Sequence, residues 1–85
     1  MKIDFRKIEI KDINGNVSVI DLSKELGNLI YKNTPDLGEL EFAQELYKNG
    51  EVEVDESKAE IIRKYVDRSG VLAFVKIAIN NALSL

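Results

Sequence analysis

Near the C-terminus, residues 71–83 read Val-Leu-Ala-Phe-Val-Lys-Ile-Ala-Ile-Asn-Asn-Ala-Leu, and ten of the thirteen are apolar. No other stretch is so dense in hydrophobic side chains, so a compact fold is expected to be built around it. On a helical wheel, Phe74, Ala78, Val71, Ala82, Val75, Ile79, Leu72 and Leu83 form one arc, with Lys76, Ala73, Asn80 and Asn81 opposite. The arc takes up roughly half the circumference, wider than the ~100° stripe of a surface helix. A bilayer span needs ~20 apolar residues, and this run is too short and too polar for one. It is also too long and too poorly alternating for a strand. Ile77 lies outside the arc, beside Phe74, where a monomer would leave it wet. A lone exposed isoleucine is common. The sharper reading is a helix buried on two sides, once by its own core and once by a second subunit, because a small chain gains much from sharing a core.

The remaining elements can be read in order. Residues 5–11 suit a strand in which Ile8 and Ile10 alternate with Lys7, Glu9 and Lys11. Ile3 and Phe5 have the other parity, so a bulge or kink is expected near Arg6. Asn14-Gly15 is a strong hairpin signal. A two-residue turn there sets Ile10 opposite Val19 and Asp12 opposite Val17, and puts Ile8, Ile10, Val17 and Val19 on one face. Asp21 is expected to cap a helix over residues 22–33, with Leu22, Leu26, Leu29 and Ile30 on one face and Gly27 in its interior. Pro35 breaks the chain. Asp36 and Glu39 have capping-box spacing ahead of a helix over 37–48. Leu40, Ala43, Leu46 and Tyr47 form its apolar face, with Phe42 at the edge, and Gly50 ends it. Residues 51–55, Glu-Val-Glu-Val-Asp, read as a strand that most simply adds to the hairpin as a third. Asp55 caps a helix over 56–68 with Ala59, Ile62, Tyr65 and Val66 as its stripe.

The predicted class is α+β. A β-hairpin and a third short strand make a small, mainly antiparallel sheet packed against about four helices, in the order ββααβαα. A helical bundle with the hairpin as an arm is the alternative. With 85 residues, no repeat and no linker, the chain reads as a single domain, 1–85.

Several chemistries can be tested against the sequence. There is no histidine and no cysteine, which removes the common nucleophile–base pairs, disulfides and the usual zinc ligands. No dinucleotide or phosphate-loop motif is present. Carboxylate-only catalysis needs two acids held across a cleft, and a small core seldom shapes one. The expectation is a non-enzymatic protein with no catalytic residue, no cofactor, no metal and no small-molecule ligand. Asp12, Asn14 and Asn16 open like a calcium loop, but Val17 stands where Gly is required and Ser23 where Glu is required. Hairpin turn chemistry explains them better. Glu51, Glu53 and Asp55 read as a solvated strand face.

The formal net charge is −3. That disfavours nucleic acid or an anionic membrane as partner. A helix-turn-helix reading of residues 22–48 fails electrostatically, since Asp36, Glu39, Glu41 and Glu45 would face phosphates. A small regulator contacting nucleic acid remains the runner-up only through Lys58, Arg63, Lys64 and Arg68, which are scattered around their helix. The N-terminus lacks the apolar core of a signal peptide, so a cytoplasmic setting is expected. What survives is a protein-binding or assembly module, self-associating through its C-terminal helix. The candidate surface is Phe74 and Ile77 with the last residues, Leu83 and Leu85. Tyr31 and Tyr47 could extend it, although each more simply closes its own core edge.

At Leu26-Gly-Asn-Leu-Ile-Tyr31, Leu37-Gly-Glu-Leu-Glu-Phe-Ala-Gln-Glu-Leu-Tyr47 and Gly50-Glu-Val-Glu-Val54 the chain resembles small uncharacterised proteins encoded in bacteriophages and prophages. The resemblance rests on helix-face patterning over residues 3–83. It carries over no catalytic or binding residue. It implies a context, a phage-encoded accessory protein that works by binding other proteins, a second copy of itself among the candidates.

Overall fold

The chain reverses at Arg6, where a kink is expected; the strand expected over 5–11 is shortened to its second part, and a separate strand precedes the kink. In the computed structural model, which describes residues 1–84, β1 is Lys2–Asp4 and β2 is Ile8–Lys11. The Asp4 carboxylate makes the turn by accepting from the Arg6 backbone N–H at 3.0 Å and from Arg6 Nε at 2.9 Å. The Lys7 N–H donates to the Asp4 carbonyl at 3.1 Å. The guanidinium holds the Asp4 carboxyl below the usual carboxylate range. The parity change between Ile3–Phe5 and Ile8–Ile10 is resolved by this turn, and Phe5 at its corner is 0% exposed.

The hairpin forms between β2 and β3 (Val17–Ile20), but its register differs by one residue from the expected one. Ile8 faces Ile20, Glu9 faces Val19, Ile10 faces Ser18 and Lys11 faces Val17. The loop has three residues instead of two. The Asp12 carboxylate accepts from the Asn14 and Asn16 N–H groups, each at 2.9 Å. The Gly15 N–H donates to the Asp12 carbonyl, and Gly15 sits at φ +84°. A turn followed by a left-handed glycine is the usual three-residue hairpin loop. It needs positive φ at Gly15 only. Because strand faces alternate, the slip moves Val17 and Val19 to the solvent face, and both are exposed.

Helix α1 is Ser23–Asn33. Its start departs from expectation: Leu22 holds the N-cap position, and Asp21, one residue earlier, accepts from the Ser23 N–H and hydroxyl. Helix α2, Leu37–Asn49, is capped by Asp36, which accepts from the Glu39 N–H at 2.9 Å. Gly50 ends it as expected. The faces of α2 shift slightly. Phe42 is buried and Tyr47 is half-exposed, the reverse of the expected order. Gly27 explains this: α1 and α2 touch there so closely that Tyr47 meets the α1 backbone through its Cβ, and its ring is left at the rim.

Strand β4, Glu51–Glu53, does not extend the hairpin. It pairs antiparallel with β1, in the register Lys2–Glu53, Ile3–Val52 and Asp4–Glu51. The Met1 ammonium also reaches Glu53 Oε1 at 2.6 Å. The kink at Arg6 turns β1 out of line with β2, so β4 follows β1, and the antiparallel β structure is two two-stranded ribbons. Phe5 joins them. Its N–H donates to the Gly50 carbonyl and its carbonyl accepts from the Leu22 N–H, both at 2.8 Å. Helix α3 is Glu56–Arg68, capped by Asp55, and its buried residues are Ala59, Ile62, Tyr65 and Val66 as read from the sequence. Helix α4 is Ala73–Leu83. Among the described residues, four helices and small antiparallel ribbons give the α+β class, and the ββααβαα order holds with one additional strand, β1, ahead of the hairpin.

The C-terminal helix is not the organising centre. The most deeply buried large side chains are Phe5, Ile30, Leu46, Ile62, Val66 and Ile79, and only the last belongs to α4. The α1–α2 pair is the most extensively packed, while α4 lies against β2 and α3. Apolar density and burial part company here. One side of α4 closes the core over β2, and among the described residues no other element covers Phe74 and Ile77 on the other side.

Between α2 and α3, Glu39 does not reach back to its own cap as a capping box would. Its carboxylate accepts from the Tyr65 hydroxyl at 2.5 Å, from Lys64 Nζ at 2.9 Å and from the Thr34 hydroxyl at 2.8 Å. These bonds, Tyr65 first, hold its pKa down from 4.5 to about 2, and the side chain is only 14% exposed. A carboxyl whose folded pKa is depressed stabilises the fold fully above its unfolded pKa, and that contribution is lost as pH falls toward the folded value. Stability should therefore decline between pH 4.5 and about 2. Glu39→Gln should cost on the order of 2 kcal/mol at pH 7 and flatten that decline, as chemical denaturation at several pH values would read. An unchanged acid limb in the variant would show that Glu39 does not carry it.

Candidate interaction surface

Helix α4 begins after an extended stretch through Leu72, which has no side-chain capping bond. Its buried residues are Ala78, Ile79 and Leu83. Phe74 and Ile77, three positions apart, share another side of the helix. They remain 45% and 61% exposed. Of the expected surface residues, these two are brought together. Leu83 is not among them, because it turns into the core. Leu85 lies outside the described residues.

Phe74 and Ile77 form one wall of an open groove of about 800 Å³. Ile3, Ile8 and Ala78 add apolar lining, and Lys2, Asp4, Lys7, Glu9 and Lys11 line it as well. Lys2 and Asp4 alternate along β1, and Glu9 and Lys11 along β2. The Asp12 N–H donates to the Asn16 carbonyl at 3.0 Å. Hydrogen bonding alternates along an antiparallel ladder, so Asp12, Ile10 and Ile8 aim their main-chain groups at β3. Lys11 and Glu9 aim theirs the other way, while the Lys7 N–H, just ahead of β2, is bound to the Asp4 carbonyl. The same logic applies to β1, where Phe5 and Val54 donate to the carbonyls of Gly50 and Met1. Lys2 and Asp4 therefore present their main-chain groups away from β4. The groove joins an apolar helix side to an open strand edge.

Sequence reading located the helical half of this surface and missed the strand half. The one available signal was the parity change at Arg6, which implied that two separate strand segments had to be placed. Tyr31 and Tyr47 do not extend the groove. They flank a separate shallow recess beside Gly27, Asn28 and Gln44, across the α1–α2 contact.

The other chemistry-bearing residues are engaged locally. Asp12 holds the hairpin turn, Glu53 holds the Met1 ammonium, and Asp55 accepts from the Ser57 hydroxyl and the Lys58 N–H. Lys64 is bound to Glu39, and Lys58 Nζ lies 5.4 Å from the centre of the Phe42 ring. Among the described residues there is no group of three or more acidic side chains placed to hold a metal ion, and no helix long and apolar enough to cross a membrane. Comparison with models of protein families, with curated proteins and with solved structures returned no match.

Proposed function

We propose that this chain is a non-enzymatic protein-interaction module of the cytoplasm that self-associates through α4, with Phe74 and Ile77 at the centre of the contact. The observation that carries this reading is the pairing of two large apolar side chains, exposed on one helix side, with an apolar groove rimmed by polar residues. Exposed apolar surface of that form marks contact sites, and buried aromatic and aliphatic anchors supply most of an interface's energy. The resemblance to phage-encoded accessory proteins supports an assembly role in that setting. The alternative, a regulator contacting nucleic acid, is weakened because Lys58 and Lys64 of its four cations are already engaged by Phe42 and Glu39.

Sedimentation equilibrium over a concentration series tests the reading. The mass should rise toward that of a dimer. Ile77→Asp puts a charge into the contact and should raise the dissociation constant more than about tenfold. Since Ile77 is exposed in the monomer, the fold should be unaffected, which circular dichroism would check. A dimer indifferent to this substitution would place the contact elsewhere.

A further inference from the structure

We infer that the partner is seated by strand addition: β2 of one copy pairs antiparallel with β2 of a second, in the single register that sets Glu9 against the partner's Lys11. This deepens the self-association proposed above and rests on it.

The edge is available. Glu9 and Lys11 direct their main-chain groups away from β3, both side chains are exposed, and both residues line the groove. An uncovered edge of this kind is a template for another strand.

The register follows from what the edge carries. Of the four pairings that a two-fold axis permits, one centred on each residue of β2, the one on Lys11 opposes Lys11 to Lys11 and is destabilised by like charges; three others remain. The first centres on Glu9, opposing Glu9 to Glu9 and Lys7 to Lys11, and like charges directly opposite are destabilising. The second centres on Ile8, opposing Lys7 to Glu9. It needs the Lys7 N–H, which already donates to the Asp4 carbonyl at 3.1 Å, and it sets Ile8, already buried, on the axis. The third centres on Ile10. It opposes Glu9 to the partner's Lys11 and Lys11 to the partner's Glu9. Both residues have their main-chain groups free of β3, so the two pairs exchange four hydrogen bonds. Ile10, only half-buried in one copy, meets the partner's Ile10 on the axis. This register alone matches charge, donors and apolar surface together.

The helices then fall into place. Each α4 lies against its own β2, and the two β2 strands become neighbours ~4.8 Å apart, so the two helices meet on one face of the joined sheet and must splay toward their own β3 strands to reach the ~8–10 Å at which helices pack. Phe74 and Ile77 line the side of α4 that borders the groove, which is the side the partner's helix approaches. The dimer closes both grooves over one shared core.

Charge exchange tests this. Glu9→Lys and Lys11→Glu should each raise the dissociation constant about tenfold, because each turns two attractive cross-strand pairs into repulsive ones. An equimolar mixture of the two variants should form a heterodimer within about threefold of the wild-type affinity, since every pair is again complementary. If the wild type dimerises and Ile77→Asp disrupts it, while the charge variants bind as wild type, strand addition is overturned and the α4 contact stands. Weakened variants that do not rescue each other on mixing also overturn this register. A wild type that stays monomeric at every concentration removes the proposed self-association, and the strand pairing with it.

Discussion

Phe5→Ala should cost about 3–5 kcal/mol of folding stability, the range for removing a large aromatic side chain from a core. The side chain is 0% exposed, and it sits at the joint between two ribbons that share no hydrogen-bonded strand. Its backbone bonds to Gly50 and Leu22 survive the substitution, so the loss reports the ring alone. A domain is stabilised by roughly 0.05–0.15 kcal/mol per residue, or about 4–13 kcal/mol for a chain of this length. The substitution therefore removes about a quarter or more of the total stability. Phe5→Leu, which keeps most of the volume, should cost under about 1.5 kcal/mol. Urea denaturation of both measures the difference. A loss below about 1.5 kcal/mol in the alanine variant would mean that the kink at Arg6 is not packed against the core.

Gly27→Ala should destabilise the protein by about 2–3 kcal/mol, although alanine is the better helix former by ~1 kcal/mol. The sign is decided by space. A Cβ on Gly27 would lie 2.8 Å from the Tyr47 Cβ, 3.0 Å from the Ala43 carbonyl oxygen and 3.2 Å from the Tyr47 Cα. None of these atoms is the free end of a flexible side chain. Relief requires α1 and α2 to separate, and that loosens the tightest helix pair in the fold. Thermal unfolding reads the effect. A rise in Tm would show that the helices have room to spare.

What was legible in the sequence follows the range of the forces involved. Local signals held: Asp36, Asp55 and Gly50 at helix ends, and the Ala59–Ile62–Tyr65–Val66 stripe of α3. They held because caps and stripes are set within a turn or two of chain. The hairpin was visible, but its register turned on whether Asn14 or only Gly15 takes positive φ, and the Asp12 side chain decided that. The partner of β4 was not visible. It depends on how sharply Arg6 folds β1 away from β2, which alternation alone does not specify. The role of α4 was misread for a related reason. A helix apolar over half its circumference does not say which half meets the core. Phe74, at one end of that arc, and Ile77, just outside it, are exposed, whereas Leu83, read as part of the same surface, is buried, and the strand edge beside them emerges only from the hydrogen-bond alternation of the folded ribbons.

Where the second copy binds can be read from nuclear magnetic resonance spectra of the wild type over a dilution series. The amides of Glu9 and Lys11, the Ile77 methyls and the Phe74 ring should shift together and titrate with one dissociation constant, while Tyr31 and Tyr47 stay fixed. Concentration-dependent shifts centred on Tyr31 and Tyr47, or spectra that do not change with concentration, would contradict an association face built from α4 and the β2 edge.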